Sequence, residues 1–174
     1  MERQSLLVLS LLRLAVVAVS ALCLLLSLAP AGLAPAALPM PDLVTLVLLG
    51  WMIRRPEAVP LPLLLAVSLG AELLRGAPLG IGTLCLLAAA ELMDRLRGWL
   101  GRNGFLAEWL LAALIVTAMS LMQCLALWIS FGPLPPAMAV LSYTALTAAL
   151  YPAVLFIQRL VLPLHAPPLV EVGF

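Results

Sequence analysis

Few side chains in this sequence can do chemistry, and three stand out by position. Asp42 opens an apolar run, and Glu72 and Arg75 close the next one, three residues apart. Residues at that spacing share a helix face and Asp42 is expected at the same outer level, so Arg75 is predicted to pair with Glu72, Asp42 or both. A charged group left facing acyl chains costs about 2.5–3.5 kcal/mol, so such groups pair or turn toward protein or water. The chemistry on offer is ion pairing or capture of a polar ligand or partner. Two readings stand: a contact site, or an interfacial ion pair that only sets helix register. Their position near a span end, away from the midplane, favours the second.

Other chemistries lack their residues. The single histidine, His165, lies between Leu164 and Ala166 with only the distant Glu171 as a carboxylate. One histidine and scattered cysteines supply no ligand set for a catalytic metal and no nucleophile–base pair. Cys23, Cys85 and Cys124 lie in separate apolar segments without a C-x-x-C pair, and read as small buried hydrophobes. No phosphate-binding glycine loop of the G-x-x-x-x-G-K type occurs. With a net charge of +1 and no basic tail or patch, nothing is set to meet nucleic acid. The residues therefore predict no enzyme, no catalytic residue, no metal and no cofactor.

The elements that must carry the charged trio are set by composition. The chain is 65% hydrophobic and 10% charged, against roughly a quarter charged in soluble domains, so water cannot wet it all round. Its apolar runs are long enough to cross a bilayer. The expected fold class is an all-α integral membrane protein, one polytopic domain over residues 1–174, with about six transmembrane helices in one bundle. The spans are predicted near Leu6–Leu28, Pro41–Ile53, Ala58–Leu74, Gly80–Met93, Trp109–Ile129 and Met138–Val161. The first resembles a signal peptide, with Ala29, Ala31 and Ala34 around Pro30, but its apolar run is longer than usual and reads as uncleaved. Arg13 lies one or two turns inside it, where it can snorkel.

Several finer expectations follow. Pro60, Pro62 and Gly70 interrupt the third span, and Gly98, Gly101 and Gly104 break residues 97–105. Trp51, Trp99, Trp109 and Trp128 read as interfacial anchors. Gly70, Gly76, Gly80 and Gly82 suggest close helix approach. Glu91 with Arg95, and Asp94 with Arg97, are spaced to pair on a helix face. Arginine asymmetry orients the bundle. With Met1 cytoplasmic, Arg3, Arg54, Arg55, Arg95, Arg97, Arg102 and Arg159 all face the cytoplasm, and Arg75 alone faces outward. Arg54, Arg55, Arg95 and Arg97 thus act as topology determinants, and both termini are expected inside.

Met40-Pro41-Asp42-Leu43, Trp51, Arg55-Pro56 and Gly70-x-Glu72-Leu73-Leu74-x-Gly76-x-Pro78-Leu79-Gly80 resemble the MreD family of bacterial rod-shape-determining membrane proteins. The matching part covers about Pro41–Gly80, under a quarter of the chain. The family acid in the closing signature is usually Asp, and here it is Glu72. The resemblance implies a non-enzymatic inner-membrane scaffold of the cell-elongation machinery for peptidoglycan synthesis. Its implied partners are a single-span protein like MreC and, through it, RodA, penicillin-binding protein 2 and MreB. It also implies a helix arrangement similar to the substrate-binding subunits of energy-coupling-factor transporters. From that comes an alternative, a small-molecule or lipid-binding membrane subunit of a transporter. Asp42, Glu72, Arg75, Thr83 and Gln123 are its polar candidates. A lipid-modifying enzyme is a remote third class. Gly76, Pro78 and Gly80 form the signature turn.

Overall fold

The computed structural model of this chain describes residues 2–28 and 40–161, with side chains over 7–28 and 40–160. The Arg3 side chain, residues 29–39 with their small-residue and proline pattern, His165 and Glu171 lie outside the described residues. The described elements are all helical: α1 (Glu2–Leu28), α2 (Leu43–Arg54), a 3₁₀ turn (Pro56–Ala58), α3 (Leu61–Arg75), α4 (Ile81–Ile129) and α5 (Ala137–Val161).

Helix α2 lies at the centre. It starts at Asp42, whose carboxylate accepts a hydrogen bond from the Thr45 amide at 3.1 Å and satisfies an otherwise orphan helix donor. It stops before Pro56, which pushes Arg55 out of the helical region to φ −142°, ψ 71°. Every residue from Val44 to Met52 is buried. A helix apolar on all sides is a core helix, and α2 touches α1, α3, α4, α5 and the 3₁₀ turn.

In α3 the prolines sit where they are tolerated. Pro60 precedes the helix and Pro62 falls in its first turn, where no amide is needed. The expected interruption is therefore absent, and Gly70 is an ordinary helical residue with open space around it. Gly76 ends α3 at φ 64°, with the Ala77 amide bonded to the Glu72 carbonyl at 3.1 Å and the Gly76 amide to the Leu73 carbonyl at 3.4 Å. That paired arrangement uses a glycine for the left-handed position.

Helix α4 is a hairpin. Gly98 and Gly101 remain helical, so the expected three-glycine break reduces to Gly104, at φ 69°, ψ −164°. A straight helix would hold residues 82 and 123 about 60 Å apart. Instead, a Cβ placed on Gly82 would lie 3.4 Å from Gln123 Nε2 and 3.6 Å from Met119. The two limbs therefore lie side by side, the first running well beyond Met93.

Leu7–Leu28, α4 and Ala137–Leu160 are long and apolar enough to cross a membrane, whereas α2 is apolar but short. Large apolar side chains such as Leu14, Leu73, Leu84 and Phe156 point outward, as suits a lipid-facing surface. Trp51 departs from its expected role. It is 3% exposed, inside the core and not at an interface, because α2 is enclosed along its length. Trp109 donates from Nε1 to the Ala148 carbonyl at 2.8 Å and ties the second limb of α4 to α5.

Close approach is concentrated at Gly50, where a Cβ would stand 2.5 Å from Gln158 Oε1 and 2.8 Å from Leu155. Gln158 donates to the Val47 carbonyl at 3.1 Å, so α5 lies directly on the α2 backbone. Gly50→Ala is expected to destabilise by about 1–3 kcal/mol through overpacking. Gly70→Ala, in open space on a helix, is expected to stabilise by about 0.5–1 kcal/mol. Thermal unfolding of both variants in detergent checks this pair, and equal shifts would contradict the packing described.

Candidate functional site

The three charged residues singled out above meet at one end of the bundle, in two separate arrangements. Arg75 Nη1 donates to Asp42 Oδ1 at 2.8 Å, linking the end of α3 to the start of α2. Asp42 Oδ2 accepts from the Thr45 hydroxyl at 2.5 Å, and the Asp42 amide donates to Thr147 Oγ1 on α5 at 3.3 Å. Tyr143, one turn earlier on α5, faces the same carboxylate. The pair is largely buried, with side-chain exposures of 25% for Arg75 and 10% for Asp42, so it is shielded far better than a surface salt bridge.

Glu72 does something else. Its Oε2 accepts from the Gly80 amide and its Oε1 from the Thr83 amide, both at 2.6 Å. The α3 carboxylate thus caps the N-terminus of α4, where amides lack helical partners and the dipole favours negative charge. Gly80 enters that helix at φ 88°, a left-handed conformation. Gly82 leaves room for the acid: a Cβ there would stand 2.7 Å from Glu72 Oε1. Gly76, Pro78 and Gly80 therefore form a turn closed from outside by Glu72.

Between these groups lies a cleft of about 310 Å³, reaching from Asp42, Ser68, Glu72 and Arg75 to Gln123 and Tyr143. Most of its wall is apolar, with Leu86, Met119 and Leu127 among the lining residues. Arg75 Nη2 is buried and has no protein acceptor among the described residues, and the same holds for the Thr83 hydroxyl. An unmet buried donor costs about 1–3 kcal/mol, more when charged.

The opposite end carries a second network. Arg54 grips Glu108 with both terminal nitrogens, at 2.8 and 3.2 Å, and the Tyr151 hydroxyl donates to Glu108 Oε1 at 2.7 Å. Beyond the topology role expected of Arg54, the structure places it in this largely buried ion pair. Arg13 reaches the Glu57 carbonyl at the same end, at 3.4 Å. Arg95 pairs with Glu91 at 2.9 Å and Arg97 with Asp94 at 3.2 Å on the first limb of α4, and both pairs are well exposed.

No family model, curated protein or solved structure matches the chain. The site is therefore read from its own geometry. Sequence reading misses Glu108, Tyr151, Tyr143 and Thr147. Glu108 escapes because it directly precedes a predicted span and looks like a solvated end. A signal exists: Arg54 directly follows the second predicted span and Glu108 directly precedes the fifth, so opposite charges fall at one depth. The hydroxyls of α5 give none, since tyrosine and threonine are unremarkable in an apolar helix.

The coupling is expected to follow the contacts. Asp42→Ala and Arg75→Ala each strand a charge, so their double variant should lose less stability than the sum, by about 0.5–3 kcal/mol. Glu72→Ala strands two amides and should combine almost additively with Arg75→Ala. Thermal unfolding of the single and double variants beside the parent tests this. Strong coupling of Glu72 to Arg75 in place of Asp42 would contradict the assignment.

Proposed function

We propose that this chain is a non-enzymatic subunit of a bacterial cell-elongation complex, holding a single-span partner like MreC in the inner membrane. Six spans are proposed: α1, α2, α3, the two limbs of α4, and α5, with both ends of the chain cytoplasmic. This supports a scaffold of the peptidoglycan-synthesis machinery, with RodA, penicillin-binding protein 2 and MreB reached through the partner.

The observation that carries the reading is where the family-like residues fall. Asp42, Glu72, Gly76 and Gly80 are spread over nearly forty residues of sequence, yet they meet at one end of the bundle, in an ion pair and a helix cap that both draw on the last turn of α3. The helix order also accommodates the span order expected from sequence. At about 18 and 22 Å, α2 and α3 are shorter than a hydrocarbon core of about 30 Å, and α2, enclosed by its neighbours, need not match it. Arg54, Arg97 and Arg159 lie toward the end opposite Asp42 and Arg75, an asymmetry that supports a cytoplasmic side there.

Docking in this reading uses apolar helix faces. α1 packs on α2, α3 and the 3₁₀ turn and leaves Leu7, Leu11, Leu14 and Leu25 exposed. Within lipid, association of such faces depends on packing and a few polar contacts, because the surrounding tails are equally apolar.

The test uses a tagged chain expressed in a rod-shaped bacterium. It is expected to co-purify with an MreC-like single-span protein, and its depletion is expected to round the cells. Purification without such a partner, together with unchanged rod shape on depletion, would end this reading.

A further inference from the structure

We propose that the cleft at the Asp42 end binds a molecule headed by an oxyanion, phosphate or carboxylate, which the Arg75 guanidinium receives while its apolar part lies along the cleft wall. The proposal rests on the cleft alone and does not require the scaffold role or its partner.

Hydrogen-bonding capacity fixes the chemistry of the head. Asp42 is engaged by the Thr45 amide and hydroxyl and by Arg75 Nη1. Glu72 holds the Gly80 and Thr83 amides, and the half positive charge of the α4 N-terminus offsets its own. Both carboxylates are committed. What remains along the cleft is donor capacity: Arg75, which lines it and whose buried Nη2 has no protein acceptor among the described residues, and the amide of Gln123. A guanidinium fork matches two oxygens of one carboxylate or phosphate, and here Asp42 holds only one arm. A metal cation or an amine would meet the arginine and lack a free carboxylate.

Size and lining agree with an amphiphile. About 310 Å³ lies at the small end of ligand sites, and such sites pair apolar walls with a few placed polar groups. The polar groups here come from α2, α3, the second limb of α4 and α5, in Asp42, Arg75, Gln123 and Tyr143. Arg75 is held at one arm by a buried ion pair, so its orientation is set in advance.

The same head could belong to a membrane phospholipid or to a soluble anion, and the experiment separates them. Full-length protein in a maltoside detergent, which carries no oxyanion, is unfolded thermally with dihexanoyl phosphatidylglycerol, with inorganic phosphate, or with acetate. The expected result is a rise in midpoint of several degrees. If phosphate or acetate alone produces it, the source is a soluble anion; if only the short-chain lipid does, the source is a headgroup. Asp42→Asn combined with Arg75→Gln keeps a neutral hydrogen-bonded pair and should abolish the rise. Gln123→Leu should reduce it, and Val140→Trp, which fills the cleft from α5, should block it if the double variant does not fold. Native mass spectrometry should show co-purified lipid falling in parallel if the source is lipid. No rise with any probe, or an equal rise in the cleft variants, overturns the proposal.

Discussion

Helix α2 is apolar on every side, and an apolar cylinder in an apolar bundle can slide or rotate at little cost. Charge at its two ends removes that freedom. Asp42 is held by Arg75 at one end, and Arg54 by Glu108 at the other. Both pairs are largely withdrawn from water, so breaking either leaves a charge that nothing nearby can solvate. Sliding α2 by one residue would disturb both at once. The remaining helices are arranged around this pinned axis, and α5 supplies a hydroxyl to each end, through Thr147 and Tyr151.

The division of labour between the acids follows from the same scarcity of solvent. Glu72 and Arg75 are one turn apart and could have met, yet each takes a partner from another helix. Glu72 answers the amides that open α4, which have no other acceptor in an apolar setting. That leaves Arg75 for Asp42. Tertiary need outranks sequence proximity here, because two unmet backbone donors would each cost about 1–3 kcal/mol while Arg75 has Asp42 as an alternative partner. The longer glutamate suits the cap, since its carboxylate spans from the last turn of α3 to the first turn of α4. It does so over a turn that Gly76 and Gly80 bend through left-handed conformations.

Much of the helix layout was legible because it depends on quantities that sequence displays: run length, prolines at helix starts, and an acid at a cap. Asp42 opening α2 and the Arg54–Pro56 stop are cases in point. The partners were not legible where they depend on which helix faces which. For Arg75 the sequence offered Glu72 or Asp42, and the partner it takes is Asp42; helix spacing alone, which records only local geometry, favoured Glu72. Trp51 looked like an anchor because composition places tryptophan at interfaces, whereas enclosure of α2 by its neighbours buries it. Glu108 was invisible as a partner because its interaction is purely tertiary. The glycines divide by the same logic. Gly76, Gly80 and Gly104 answer backbone demands, Gly50 and Gly82 answer neighbours, and Gly70 answers to neither.

The reversal at Gly104 has a consequence for how the protein is made. A turn confined to one residue leaves no tether of loop between the limbs of α4, so the contacts between them depend on that one backbone conformation. The contacts of Gly82 with Met119 and Gln123 are therefore available only after the second limb has been synthesised. The exposed pairs Glu91–Arg95 and Asp94–Arg97 lie on the first limb, ahead of that reversal. How the two limbs face each other is thereby fixed at a single positive-φ glycine.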